Sequence, residues 1–387
     1  MIKKSASNSF SEIIDFIKSL YPEEIPVPLH APRFVGREKE YVVDAIGSTF
    51  VSSVGEYVDR FEEMICRITG TAFAVATVNG TSALHIALNL AGVQPGDEVI
   101  TQPLSFVATA NTISYCGAKP IFLDVSRKTL GLDPTALKEF LKSNTQTTNQ
   151  GCYNKATGKR IAACAPMHTF GHPCQIDSIA GICEHYNIAL IEDAAESFGS
   201  FYNGRHTGTF GLFGVYSFNG NKTVTCGGGG AIVTNDETFA KKAKHITTTA
   251  KVQHPYEYIH DAIGYNYRLP NLNAALACAQ LEQLDFFLEN KRELAKIYQD
   301  FFGLLDIPFV CEPDYARSSF WLNAIILLDR KTRDEFLKAT NEAKVMTRPV
   351  WKLLNQLEMY QDCQTDALIN AQWLEDRVVN IPSSVRI

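Results

Sequence analysis

Between Val35 and Thr234 the chain alternates two hydrophobic rhythms. Short runs such as "AFAVATV", "DEVIT", "PIFLDV", "RIAACAP", "NIALIED", "GVYSF" and "GAIVTN" read as strands. Several are apolar throughout, the pattern of strands covered on both faces. Between them "TSALHIALNLAG", "FVATANTISYCG", "DPTALKEFLKS" and "QIDSIAGICEHYN" carry apolar residues at helical spacing. Strand alternating with helix predicts a largely parallel sheet with helices on both faces. The polar, glycine-containing segment "NQGCYNKATGKR" reads as an exposed loop.

The flanks follow the helical rhythm. In "SFSEIIDFIKSLY" the apolar positions Phe10, Ile13, Ile14, Ile17 and Leu20 form one face, and Ser9 with Glu12 suggests a capping box. Glu12, Asp15 and Lys18 interrupt the apolar core that a signal peptide needs. After Pro270, "NLNAALACAQLEQLDFFLENKRELAKIYQDFF" predicts one long helix bridging to a smaller C-terminal part, where "SFWLNAIILLD" is a strand. The expected division is an N-terminal amphipathic helix and arm (1–30), a large domain (31–285) and a small C-terminal domain (286–387).

Composition narrows the function classes. The 387 residues are 45% hydrophobic and 20% charged, enough apolar material for a large core. A net charge of −6 argues against nucleic acid or an anionic membrane as partner, since both select basic patches. No apolar run is long enough to span a bilayer. The ten cysteines are scattered without a C-x-x-C pair, which argues against a zinc ribbon and for free thiols in a reducing cytoplasm. No metal site is expected.

Three groups fall at predicted strand ends, where open α/β sheets bind ligands. In "VNGTSALHIAL" a strand gives way to a helix near Thr81. Free N–H groups, the helix dipole and hydroxyls there make an anion site or a plain N-cap. In "NIALIEDAAESFGS" a buried strand runs into Glu192 and Asp193, with Glu196 beyond. Paired carboxylates also serve glycosidases and metal sites, but no companion motif supports either. In "YSFNGNKTVTCGGGGAIVTND" Lys222 lies between a strand and four glycines. A desolvated lysine amine is the usual route to a Schiff base with a carbonyl. The glycine run precedes a strand, so it is not a Walker or Rossmann loop. Lysine, carboxylate, phosphate cup and aromatic face together are what pyridoxal phosphate requires.

The stretches "NGTSALHIAL", "SFVATANTISYCGAKPIFLDV", "PMHTFGHPCQID", "IEDAAESFGSFYNG", "GVYSFNGNKTVTCGGGGAIVT" and "GYNYRLPNLNAALACAQLEQL" resemble the DegT/StrS family of sugar aminotransferases, from about Val27 to Ser384. The resemblance implies an α/β, fold-type-I pyridoxal-phosphate enzyme with a large, mainly parallel seven-stranded sheet domain and a smaller C-terminal α/β domain. It implies that Lys222 carries the cofactor and Asp193 holds its ring nitrogen. Glu196 stands where many relatives have a glutamine on the ring hydroxyl, which leaves its protonation open. Phe106 would stack on the ring, and Gly80, Thr81 and Ser217 would hold the phosphate. Asn266 would reach the phosphate of the neighbouring subunit in a homodimer with shared sites.

Further stretches, among them "VPLHAPRFVGREKEYVVDAIGSTF", "TTTAKVQHPYEYIHDAIGYNYRLP" and "TRPVWKLLNQLEMY", are similar to one branch of that family. Its members aminate C4 of UDP-linked 4-keto-6-deoxy-N-acetyl sugars for bacterial surface glycans, with L-glutamate as donor. His30, Lys251, His254 and Arg348 are then candidate sugar-nucleotide contacts, since cations pair with diphosphates. An alternative within the reaction class is a GDP-4-keto-6-deoxymannose 4-aminotransferase making perosamine. A sugar dehydratase on this fold has histidine in place of the lysine, so Lys222 counts against it. A non-catalytic regulator on the same scaffold is the alternative of another class.

Overall fold

The apolar runs become one sheet in the computed structural model, which describes the backbone of residues 6–387 and the side chains of residues 10–387. Seven of its nine strands form the main path, as the seven-stranded expectation had it: β1 (Phe73–Thr77), β2 (Glu98–Thr101), β3 (Lys119–Phe122), β4 (Arg160–Cys164), β5 (Ala189–Asp193), β6 (Phe213–Ser217) and β7 (Gly230–Thr234), and a hairpin beside β4 adds the other two. The seven lie in the order β1-β7-β6-β5-β4-β2-β3. From β6 to β3 all neighbours are parallel. β7 runs antiparallel to both β1 and β6. The segment joining β6 to β7 contains no helix, and a parallel return needs a crossover.

The segment expected to be an exposed loop is instead a hairpin. Thr145–Thr148 pairs with Gly151–Asn154, and the second strand continues onto β4. Residues 149–150 and 155–158 are exposed as expected, but Gly151, Cys152 and Asn154 are buried, and the Asn154 amide donates to Glu98 Oε2 at 2.8 Å. Composition alone suggested solvent; paired polar groups conceal burial.

The single bridging helix is two helices, Asn271–Leu281 and Leu284–Leu304. The first is buried on nearly every side, whereas the second keeps a one-sided stripe through Phe287, Leu294, Tyr298 and Phe302. At the break, Glu282 Oε1 accepts from Tyr41 Oη at 2.7 Å and from Arg60 Nη2 at 2.5 Å. Two neighbouring helices thus hold a junction that hydrophobic spacing could not reveal.

A second, antiparallel sheet joins Asn323–Ile326, Val378–Ile381 and Arg348–Pro349. The helix Ala6–Leu20 packs Ile13 and Ile17 into one cluster with Leu294, Tyr298, Phe302, Phe336 and Val379. The amphipathic reading therefore holds, but Ser9 falls inside this helix rather than at its cap, and its side chain lies outside the described residues. All ten cysteines are free. Among the described residues no helix is long and apolar enough to cross a membrane.

Candidate active site

The carboxyl ends of β1, β5 and β6 open on one cavity of about 370 Å³. After β1, Asn79 caps the helix Gly80–Leu90, its Oδ1 accepting from the Ser82 N–H at 2.7 Å. Gly80 is squeezed against the end of β6: a Cβ there would lie 2.9 Å from Ser217 Cβ. On β7, a Cβ at Gly230 would lie 2.5 Å from the Asn79 carbonyl carbon. Glycine at these two positions lets the helix start approach the neighbouring strands. Uncompensated N–H groups, the Thr81 and Ser217 hydroxyls and the positive end of the helix dipole then face the same cavity wall.

Strand alternation separates the carboxylates at the end of β5. Glu192 points away from the cavity and is fully buried, accepting from the N–H groups of Gly208, Phe210 and Gly211 at 2.8, 2.5 and 2.9 Å. Asp193 turns into the cavity. Its Oδ2 accepts from Thr109 Oγ1 at 2.7 Å and its Oδ1 from the Ala195 N–H at 3.2 Å. Burial pushes its carboxyl up, while these hydrogen bonds and Lys222 pull the other way. Glu196 follows within hydrogen-bond reach of the Phe170 N–H, at 3.0 Å. Burial raises its carboxyl to about 7 against the opposing effect of Lys222.

Lys222 sits in the turn after β6, its N–H bonded to the Asn219 carbonyl at 2.9 Å. Its amine lies 3.6 Å from Glu196 Oε1 and 3.8 Å from the centre of the Trp321 ring. Burial lowers its pKa, with Glu196 and Asp193 opposing. A lysine desolvated in this way supplies more free amine at neutral pH, the form that attacks carbonyls and takes up protons.

Seven of the expected residues line this cavity: Gly80, Thr81, Phe106, Asp193, Glu196, Ser217 and Lys222. Phe106 stands at the rim, 53% exposed. Five do not. His30 packs behind the lysine turn, its Nε2 2.9 Å from Lys291 Nζ. Arg348 lies on the edge strand of the second sheet, donating to Asn341 Oδ1 and the Thr347 carbonyl. Lys251 and His254 belong to the hairpin Lys251–Val252 and Ile259–His260, where Lys251 stacks over the Tyr258 ring and His254 Nδ1 accepts from the Glu257 N–H. Asn266 is exposed, its Oδ1 accepting from Arg268 Nε. Within this chain these side chains meet other partners rather than the cavity.

Sequence reasoning missed Thr109, Asn221, Trp321 and Trp351, which also line the cavity. Thr109 and the two tryptophans come from segments remote from β5 and β6 in the chain. One signal was available: only three tryptophans occur in the chain, and "SSFWLNAI" places one just ahead of a strand.

A family model for the DegT/DnrJ/EryC1/StrS aminotransferases matches residues 33–387. The GDP-perosamine synthase of Escherichia coli O157:H7 is 36% identical over 357 residues, 92% of this chain and 93% of that protein. The putative pyridoxal phosphate-dependent aminotransferase EpsN of Bacillus subtilis is 37% identical over 335 residues, 86% of this chain and 83% of its own. Among solved structures, the aminotransferase TlmJ of Streptoalloteichus hindustanus superposes with a TM-score of 0.84 at 25% identity, covering 93% of this chain and 94% of that one. These likenesses agree with the sheet architecture and with the lysine and carboxylates gathered at its carboxyl edge. This chain belongs to the DegT/DnrJ/EryC1/StrS aminotransferase family and is a sugar aminotransferase of the pyridoxal-phosphate-dependent kind.

Proposed function

We propose that this enzyme, carrying pyridoxal 5′-phosphate on Lys222, transfers the amino group of L-glutamate to C4 of a GDP-linked 4-keto-6-deoxy sugar in the cytoplasm. The observation that carries the reading is the Lys222 amine held 3.6 Å from Glu196 in a cavity that Asp193 also lines. The name of the E. coli relative favours the GDP-linked sugar over the UDP-linked N-acetyl sugar that the branch resemblance put first.

The donor set suits the cofactor. The helix start at Gly80, with Thr81 and Ser217, offers an anion cradle that a Cβ at residue 80 would crowd. Asp193 is a buried carboxylate with no cation hydrogen-bonded to it, so a protonated ring nitrogen would complete its partners. Bound there, the cofactor would supply an aldehyde that condenses with amines and a ring that takes up the electron pair left by a departing proton.

The chain's own residues do the rest. Lys222 would serve as the base and then the acid that moves the substrate's proton. Asp193 holds a proton on the ring nitrogen. Glu196, with its carboxyl near 7, carries its proton for much of the time at neutral pH and can donate to the ring oxygen, which removes the anion–anion repulsion otherwise expected there. Phe106 and Trp351 wall the cavity with apolar surface and limit water. Asn266 acts across a dimer, reaching the neighbouring subunit's site.

A second reading keeps the reaction and changes the sugar to UDP-2-acetamido-2,6-dideoxy-hexos-4-ulose, on the strength of the stretches similar to that branch. Purified enzyme with L-glutamate is offered both keto sugars, and the amine and its configuration at C4 are read by NMR. Turnover of the GDP sugar supports the first reading, and exclusive turnover of the UDP sugar replaces it with the second. Amination by Lys222→Ala protein, or no amination of either sugar, overturns the assignment.

A further inference from the structure

Lys291 has no exposed surface at all and no carboxylate partner. Its helix, Leu284–Leu304, otherwise turns apolar side chains inward at neighbouring positions. Nζ instead meets three neutral acceptors: His30 Nε2 at 2.9 Å, the Trp321 carbonyl at 3.1 Å and the Ser383 carbonyl at 2.7 Å. A buried ammonium held by neutral groups alone is costly, and burial brings its pKa down to about 7. A methionine would fill such a position without that cost. The cation is therefore tied to a geometric task.

The task is visible on the other side of Trp321. The indole Nε1–H donates to the Asn221 carbonyl at 2.7 Å, one residue before Lys222, and the ring lies 3.8 Å from the Lys222 amine. Lys291 thus grips the backbone of the residue whose side chain covers the amine. It also grips His30, whose Nδ1 is buried without a partner and whose pKa burial pushes far down, so the ring is neutral.

We propose that Lys291 is a positioning residue for Lys222: by bonding the Trp321 carbonyl and His30 Nε2 it fixes the indole over the amine and its N–H on the Asn221 carbonyl. This rests on Lys222 being the reacting amine. Its consequence is an amine kept dry on the Trp321 side, facing the carboxyl groups of Glu196 and Asp193 across the cavity with neutral His30 behind the turn.

The test is competitive trace acetylation of the cofactor-free full chain across pH, with the Lys222 peptide followed by mass spectrometry and the exposed lysines as internal reference. Lys291→Met and Trp321→Phe should each move the Lys222 midpoint in the same direction and by a similar amount of about one unit, since both act through the indole's shielding and its ring–cation contact. The double variant should go no further than the larger single shift, since both act through one indole. An unmoved midpoint in folded Lys291→Met protein, or shifts that add, overturns the proposal. Should Lys291→Met not fold, Trp321→Phe decides: a midpoint unchanged there removes the indole from the account. Because labelling reads the amine without cofactor, its outcome is separate from whether the keto sugar is turned over.

Discussion

Glu196 and Lys222 face each other at 3.6 Å with both side chains nearly out of water, and burial drives each toward its neutral form. The pair lies in the cavity that Asp193 also lines, where the proposed reaction needs a group that gives up and takes back a proton. Burial favours the uncharged form of both partners, which suits a site through which protons would move in both directions.

Stability should record that poise. The carboxyl of Glu196 is raised to about 7 in the folded chain, against about 4.3 unfolded. Its folded form holds a proton that the unfolded chain has lost, so its contribution falls as pH rises between those values and stays low above about 7. The cost at alkaline pH is on the order of 3 kcal/mol. Glu196→Gln should flatten that decline while leaving the Lys222 amine without its carboxylate. Chemical denaturation of both proteins from pH 4.5 to 8 checks it; parallel curves would contradict the assigned shift.

The four glycines after Lys222 should not be equivalent. Alanine at Gly230 would press on the Asn79 backbone, whereas a Cβ at Gly228 would lie 3.6 Å from the Val78 carbonyl oxygen, an ordinary contact. Gly230→Ala should cost about 1–3 kcal/mol and weaken cofactor binding, since the helix start must retreat. Gly228→Ala should stay within about 0.5 kcal/mol. Denaturation midpoints with cofactor titration separate the two.

Thr109 donates the one side-chain hydrogen bond found on the Asp193 carboxylate. Thr109→Val should raise the Asp193 pKa further and weaken its hold on a ring proton. A bond to a charged group is worth about 1.5–3 kcal/mol, so turnover should fall roughly ten- to a hundredfold. Thr109→Ser keeps the hydroxyl and should retain most activity. Steady-state kcat for the two variants reads the difference; equal losses would point to packing instead.

Asn266 is exposed and outside its own subunit's cavity. If it serves a neighbour, Lys222→Ala and Asn266→Ala chains should each be inactive alone and should regain activity when refolded together, because one site of the mixed dimer is then intact. Gel filtration with an activity assay on the mixture checks this. No recovery in a verified mixed dimer would place Asn266 outside the chemistry.

Much of the site was legible because its residues are local in sequence. Lys222 in the turn after β6, Asp193 at the end of β5 and Gly80 at a helix start each follow from a strand boundary, and strand boundaries follow from apolar runs. Pro270 likewise marked a helix start where one occurs. The four candidate sugar contacts rested on the branch resemblance and on charge, and neither says which partner a flexible side chain meets within one chain. Arg348 and His254 found theirs within a few residues.

By itself the sequence determined the rhythm of strands and helices, the three strand ends that come to line one cavity, and a charge balance unsuited to nucleic acid. Those are properties of neighbouring residues, set by local propensity and by what each face must bury. Tertiary structure decided that the bridging helix breaks at Glu282, that a polar stretch pairs as a hairpin, and that Trp321 covers Lys222 under the grip of Lys291. Each depends on groups brought together from distant parts of the chain, and the free energy of such contacts belongs to the packed molecule rather than to any segment of it.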